Sequence, residues 1–251
     1  MTKSNGIAII CATETDLSAV LRSVQSTRRE HFGLFAGATG TIGGVPAAIT
    51  VSGIGEGPAY AAARQMAYLF KPKVLVGFGN ATAVCGNLQV GDLVLASSSR
   101  RCYAPIVVTE EMFDSDELLF SSEETKMRVL GAPVVSADSR LTQLAVEALT
   151  NAPPARSRQR VFRMVTAGCM ENVVPAWRGA EFLRTRWCVD VVDTESYGFL
   201  SAASDCGVPS VCLRTAVAAP CGPRAMSSGE QRCCHLVAIE GLRSMLTAVL
   251  D

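Results

Sequence analysis

Four short segments of the sequence carry groups able to bind or react, and each follows an apolar run. Thr13-Glu14 comes directly after GIAIICA, and Val192-Asp193-Thr194-Glu195-Ser196 follows CVDV. Gly53-Ile54-Gly55-Glu56-Gly57 lets backbone approach a ligand closely, and Gly79-Asn80-Ala81-Thr82 is small and polar after KVLVGF. An ionised carboxylate accepts hydrogen bonds from hydroxyls and can take a proton from water, so Glu14 and Glu195 have the widest chemical range. Each segment also has a plain structural explanation. The helix dipole favours acids near a helix N-terminus, which alone would account for Glu14 or Asp193. The glycine loop lacks G-x-G-x-x-G spacing and has no acidic ribose partner about 20 residues on, so helix packing explains it as well as a cofactor would.

The elements that must position these groups are readable from hydrophobic period. IAIICA reads as a strand, and Asp16 to Gln25 as a helix with Leu17, Val20, Leu21 and Val24 on one face. TGTIGGVPAAITVS is a hairpin turning at Gly43-Gly44, and a helix begins near Pro58 and runs to Lys71-Pro72. KVLVGFG is a continuous buried strand, and LQVGDLVLASSS is a strand pair after a turn. Positions 109–128 hold seven acidic residues and read as a solvated excursion or lid. A helix over SADSRLTQLAVEALTN, a polar connector APPARSRQ and the strand RVFRMVTAG follow. The chain continues with strand CVDVVD, a helix from Ser196 to Cys206, a turn at Gly207-Val208-Pro209, strand SVCLRTAVA and a final helix from Glu230 to Leu250. Alternating strands and helices predict an α/β chain, a single three-layer domain over residues 1–251 whose mixed, mostly parallel central sheet is flanked by helices. Ligands in such sheets bind at the carboxyl ends of the strands, where all four segments fall.

Bulk properties narrow the partner. The 251 residues are 49% apolar and 18% charged, with Lys+Arg and Asp+Glu both at 23. A balanced charge without basic runs leaves no footprint for nucleic acid or an anionic membrane, so a small molecule is the expected partner. Ten cysteines are spread over the length without C-x-x-C spacing, which fits buried reduced thiols. Cys233-Cys234-His235 has no second ligand pair nearby, so no metal is expected. The apolar run from Gly6 to Ala12 is followed at once by Glu14 and Asp16 and reads as a first strand, not an export signal. No stretch reaches the ~18 apolar residues of a membrane span. A cytoplasmic location is expected.

Taken together, IAIICATETDL, VSGIGEGPAYAAA, KPKVLVGFGNA, LQVGDLVLAS, SADSRL, VDTES and GVPSVCLRTAV occur in the order and spacing of the nucleoside phosphorylase and nucleosidase superfamily. Over residues 6–248 the chain resembles most closely the 5'-methylthioadenosine/S-adenosylhomocysteine nucleosidases. The resemblance implies roles. Glu195 stands where that family holds the ribose hydroxyls, with Asp193 and Thr194 beside it, and Glu14 where it activates water. Gly55, Ile54 and Asn80 would line the region of the water, with Arg214 on the strand beyond. Met170 and Glu171 match the segment that stacks on and reads the purine. No cofactor is implied, and the family's usual assembly implies a homodimer or higher homo-oligomer whose subunits complete each other's pockets.

The match also breaks. Where the family's strand reads R-x-x-S-D, with the Asp protonating the leaving purine, this chain reads Arg214-Thr215-Ala216-Val217-Ala218. Loss of a general acid typically costs on the order of 10²–10⁴-fold in rate. Thr194 replaces a Met of the family's VEMEA, and Glu171 puts a charge beside the base. A desolvated Glu171 with a raised pKa is a candidate replacement acid. Two readings therefore stand, a purine nucleosidase-type hydrolase and a catalytically silent nucleoside- or base-binding relative. Phosphorolysis ranks third, because Val76-Gly77-Phe78-Gly79-Asn80 lacks the arginine that would hold a phosphate dianion.

Overall fold

The computed structural model describes residues 6–102, 134–151, 162–170 and 177–218, together with positions 238, 239, 242, 243 and 246. Strand β1 (Ile7–Cys11) is buried at every residue. Its successive side chains point to opposite faces, so Ala8 and Ile10 join one core while Ile7, Ile9 and Cys11 join another. A strand buried on both faces belongs at the centre of a covered sheet. β1 pairs in parallel with β4 (Val45–Val51) on one side and β5 (Val74–Ala83) on the other.

Helices cover both faces. α2 (Glu56–Leu69) and α5 (Ser196–Asp205) pack onto the first core through Ala62, Met66, Phe199 and Ala202. α1 (Glu14–Leu21) and α3 (Ser139–Asn151) cover the second through Val20, Leu141 and Ala145, joined by Ala238, Leu242 and Leu246 at helical spacing. Three layers result. α4 (Trp177–Trp187), which the sequence period does not mark, adds Ala180 and Leu183 to a smaller cluster with Val84, Met170 and Val192.

The sheet is mixed. Beyond β4 it ends in an antiparallel pair, β3 (Phe35–Ile42) and β2 (Gln25–Phe32). Gly43 and Gly44 turn β3 into β4 with φ of 59° and 84°, the left-handed geometry that two-residue hairpins require. On the other side β5 runs parallel to β10 (Ser210–Ala218), which pairs antiparallel with β6 (Leu93–Arg101). β6 runs parallel to β8 (Phe162–Cys169), and β8 to β9 (Val191–Asp193). β9 then returns to the far end of β5, Thr82 opposite Val192, and closes these strands into a ring. β7 (Val134–Ser136) pairs with β6.

Two sequence expectations are corrected. The first helix stops at Leu21, and Gln25 already belongs to β2. β2 is an edge strand, exposed at most of its residues and bulged between Gln25 and Arg28, so it has no apolar alternation to read. LQVGDLVLASSS is one strand, not two: Gln89 donates to the Asp92 carboxylate at 2.9 Å in a tight turn, and β6 begins at Leu93. The acidic segment 109–128, the connector 152–159 and most of the final helix lie outside the described residues. Among the described residues no helix is long and apolar enough to cross a membrane.

The crossing of α2 and α5 sets the geometry of the site, and one glycine permits it. A Cβ on Gly198 would lie 2.0 Å from the Glu56 carbonyl oxygen. Gly198→Ala forces the helices apart and is expected to cost about 1–3 kcal/mol, read as a lower urea midpoint. Gly57, with nothing within 4 Å of a built Cβ, is the control, and Gly57→Ala should leave the midpoint unchanged or slightly raised.

Candidate active site

The carboxyl ends of β1, β4, β5 and β10 lie on one edge of the sheet, and three connections converge there. The first leaves β1. Thr13 caps α1 through a capping box: its hydroxyl oxygen accepts from the Asp16 N–H at 3.2 Å, and its own N–H donates to Asp16 Oδ2 at 3.0 Å. The Thr13 hydroxyl also donates to Asp16 Oδ2 at 2.7 Å. Asp16 is fully buried, whereas Glu14, on the same turn, is exposed.

The second connection leaves β9 and enters α5. Asp193 accepts from the N–H groups of Glu195 at 3.3 Å and Ser196 at 3.0 Å through Oδ1. Its Oδ2 accepts from the Ser196 hydroxyl and from Arg214 Nε, the latter at 2.6 Å. The side chains of this ion pair are only 2% and 1% exposed. Arg214 lies opposite Gly79 in the register of β10 and β5. A Cβ there would lie 3.7 Å from Nη1, so any longer side chain would compete with the guanidinium for space. Arg214 Nη1 donates to the Leu213 carbonyl at 3.3 Å. Burial alone would lower the Arg214 pKa, but the Asp193 and Glu195 carboxylates outweigh it and hold the guanidinium charged.

The third connection is the glycine loop between β4 and α2. The Ser52 N–H and hydroxyl both bond to the Cys11 carbonyl, at 2.9 and 3.2 Å, which ties the loop to the end of β1. Gly53 and Gly55 then take φ of 86° and 116°, values that side-chain-bearing residues rarely adopt. The turn brings the Gly55 N–H to Glu195 Oε1 at 3.3 Å. Ile54 stands at the loop tip, 70% exposed.

Glu195 is where the second and third connections meet. It is 6% exposed and takes a further hydrogen bond on Oε1 from the Thr194 hydroxyl. Its pKa is raised, first by burial and then by the Asp193 charge, against the opposing pull of Arg214, Thr194 and Gly55. The native state therefore binds this proton more tightly than the unfolded chain does. The resulting stability is present below the ordinary Glu range and is lost as pH rises through the raised value.

Glu195, Asp193, Thr194, Gly55 and Arg214 thus form one bonded group. Asn80 is half-buried on β5, across from Thr215 on β10. Met170 is buried, and its N–H donates to the Asp193 carbonyl at 2.8 Å. Glu171 lies outside the described residues. Ala218 ends β10 half-buried, opposite Thr82 and just past a register shift. Sequence reasoning gave Asp16 and Ser196 no role of their own in the site, although the Thr-x-x-Asp spacing is a capping signature. A groove of about 540 Å³ between α2 and α5 is lined by the Arg101–Glu56 ion pair, Tyr60 and Tyr197, and contains none of the bonded group. Among the described residues no cluster of His, Cys, Asp and Glu is arranged to hold a metal. Cys11, Cys102, Cys169 and Cys212 are free and buried, and burial is the main cause that raises each thiol pKa, to about 12 for Cys102.

Removing one partner of a buried ion pair leaves the other charge uncompensated, at a typical cost of about 3–5 kcal/mol. Asp193→Asn should lower unfolding free energy on that scale in urea. The double variant Asp193→Asn/Arg214→Met should recover part of the loss, a non-additivity read as a coupling energy.

The family described as the phosphorylase superfamily matches residues 6–233. A 5'-methylthioadenosine/S-adenosylhomocysteine nucleosidase of Maridesulfovibrio salexigens is 32% identical over 145 residues, 58% of each chain. One from Listeria monocytogenes is 33% identical over 104 residues, 41% of this chain and 44% of that one. The alignments thus span about three fifths or less of these relatives' lengths. Solved structures share the fold across nearly the whole chain. The native futalosine hydrolase of Helicobacter pylori superposes with a TM-score of 0.75 at 18% identity, covering 97% of this chain and 98% of that one. The Campylobacter jejuni 5'-methylthioadenosine/S-adenosyl homocysteine nucleosidase gives 0.77 at 16%, covering 96% and 98%. With its family match running through the strands, loops and helices that assemble the site, the chain belongs to the phosphorylase superfamily.

Proposed function

We propose that the protein is a purine nucleosidase-type hydrolase that cleaves the N-glycosidic bond of an adenosine-like nucleoside of the methylthioadenosine/adenosylhomocysteine class. The observation that carries this reading is Glu195, a buried carboxylate fixed at the sheet edge by the glycine loop and flanked by a closed ion pair. The sequence relatives that match are named for that hydrolysis. Breaking the bond builds positive charge on the sugar ring and negative charge on the base, so a fixed anion under the sugar stabilises the transition state more than the ground state. Asp193 and Arg214 bond to each other and to backbone, and act as positioning residues: they hold the turn that aims Glu195. Asn80, Gly55 and Ile54 line the approach to the sugar, and Thr194 and Met170 complete the wall.

Water activation falls to the turn after β1. The sequence points to Glu14, but that residue is exposed, and we assign the role to Asp16, the buried carboxylate of the same turn, held by the Thr13 cap. The proton for the departing purine is assigned to Glu171, since β10 ends in Val217 and Ala218, which carry none. The enzyme works in the cytoplasm as a homodimer or higher homo-oligomer. The second reading, a silent nucleoside binder, draws its support from Ala218.

Incubation with methylthioadenosine, adenosylhomocysteine and inosine should release free base from at least one. If no base appears while a nucleoside still raises the melting temperature, the protein is a binder. Glu195 must be ionised to accept sugar hydroxyls, so kcat/KM should fall as pH drops, with a midpoint above the usual carboxylate range. Glu195→Gln should remove that limb and lower kcat/KM by about tenfold or more.

The assignment of base and acid has its own variants. Asp16→Asn should lower kcat by about 10²-fold or more, while Glu14→Gln stays near wild type. Thr13→Ala, which breaks the same cap but keeps the carboxylate, should lose about 1 kcal/mol of stability and little kcat. Turnover that survives Glu171→Gln removes that residue as the acid.

A further inference from the structure

The Asp193 carboxylate is fully used. Oδ1 accepts from the N–H groups of Glu195 at 3.3 Å and Ser196 at 3.0 Å, and Oδ2 from the Ser196 hydroxyl and from Arg214 Nε at 2.6 Å. These bonds fill the roughly four lone-pair sites of a carboxylate, and they pull in two directions. Arg214 draws Oδ2 toward β10 through a charge-assisted bond. The bond that holds the Glu195 N–H is the longest of the set.

Ser196 opposes the pull of Arg214. It is fully buried and opens α5, and its hydroxyl holds the same oxygen from the helix side. The direction of that hydroxyl is itself set. Its oxygen lies 3.4 Å from Cys212 Sγ. A hydroxyl has one proton, which goes to Asp193, so the thiol is the donor in this second contact. Burial keeps the thiol protonated. Without the hydroxyl, the Asp193 carboxylate can rotate about its broad terminal torsion toward the guanidinium, and the long bond to the Glu195 N–H is the first to break. Glu195 then loses the backbone anchor that sets where its carboxylate meets the Gly55 N–H. The sequence carries the same coupling. Against the family's VEMEA this chain reads VDTES, so position 193 is one methylene shorter than Glu, and position 196 has a hydroxyl that Ala lacks.

We infer that Ser196 is a positioning residue for Glu195, and that Asp193 and Ser196 form one unit in which the hydroxyl makes up for the missing methylene. The inference rests on Glu195 being the sugar-holding carboxylate. Ser196 touches no ligand and acts only through the main chain of Glu195.

The test is calorimetric binding of methylthioadenosine and adenosine to the full chain and to Ser196→Ala, Glu195→Gln and the two combined, with urea midpoints recorded alongside. Ser196→Ala should weaken binding about five- to tenfold where Glu195 is present, the scale of one misaligned hydrogen bond. In the Glu195→Gln background the same change should cost less than about twofold, because no carboxylate remains to be aimed. A residue that only stabilises the fold would shift both backgrounds by one factor, or lower the midpoint and leave binding unchanged. Either result overturns the inference. Asp193→Glu/Ser196→Ala should bind within about threefold of wild type. Asp193→Glu alone, whose extra methylene meets the Ser196 hydroxyl in a filled site, should bind about fivefold weaker or worse. A double variant that binds no better than Asp193→Glu overturns the inference, and that comparison stands even where Ser196→Ala alone does not fold. Glu195→Gln that binds like wild type, or folded wild type that binds neither nucleoside, overturns the sugar-holding role of Glu195 and this inference with it. A weakened Glu195→Gln beside an unchanged Ser196→Ala overturns this inference alone.

Discussion

The contact between Asp193 and Arg214 holds this site together because it crosses the sheet where the backbone does not. Asp193 ends β9 and Arg214 lies within β10, two strands that each pair with β5 and not with one another. The guanidinium reaches past Gly79, its register partner on β5, to the carboxylate. With one carboxylate, Asp193 anchors this cation and also caps the first N–H groups of α5. The direction of α5, the closure of the strand ring and the aim of Glu195 therefore depend on one buried pair.

Such a pair is expensive to bury, since desolvating two ions offsets much of their attraction. It survives where the remaining lone pairs and protons are satisfied, and here Ser196, Glu195 and the Leu213 carbonyl supply those bonds. The nearby thiols bear no charge of their own, because burial keeps Cys11 and Cys212 protonated. Glu195 is left as the neighbour whose charge is not cancelled by direct pairing, and burial first, then the Asp193 charge, raises its pKa. A carboxylate under this tension is well suited to a ligand that offers hydroxyl donors and later develops positive charge.

The glycine loop and the α2–α5 crossing do the complementary work. Gly53 and Gly55 let the chain turn sharply enough for a backbone N–H to reach Glu195. Gly198 lets α5 approach the first turn of α2, the same turn that presents Gly55. Close approach at one glycine and left-handed backbone at two others produce a single distance. Thr194, half-buried beside Glu195, adds a second donor to the same carboxylate oxygen.

Much of this was legible in the residues. Continuous apolar runs located β1, β5 and β10, because strands buried on two faces are mostly apolar and carry a polar group such as Arg214 only where it is paired. The paired glycines marked the β3–β4 hairpin, and Asp193, Thr194 and Glu195 stood out together at a strand end. β2 escaped because an exposed edge strand has no burial pattern, and α4 escaped for want of a clear apolar period. Which of two carboxylates on one turn would be buried, Glu14 or Asp16, depended on the capping box and on the packing of α1, and local sequence left that open. By itself the sequence determined the strand ends and the acids placed on them, because hydrophobic period and turn chemistry are local. Only the tertiary structure decided that Arg214 neutralises Asp193 and that Thr194 and Gly55 share one oxygen of Glu195. Those bonds join residues as far apart in the chain as Gly55 and Glu195, and their geometry exists only once the sheet has closed.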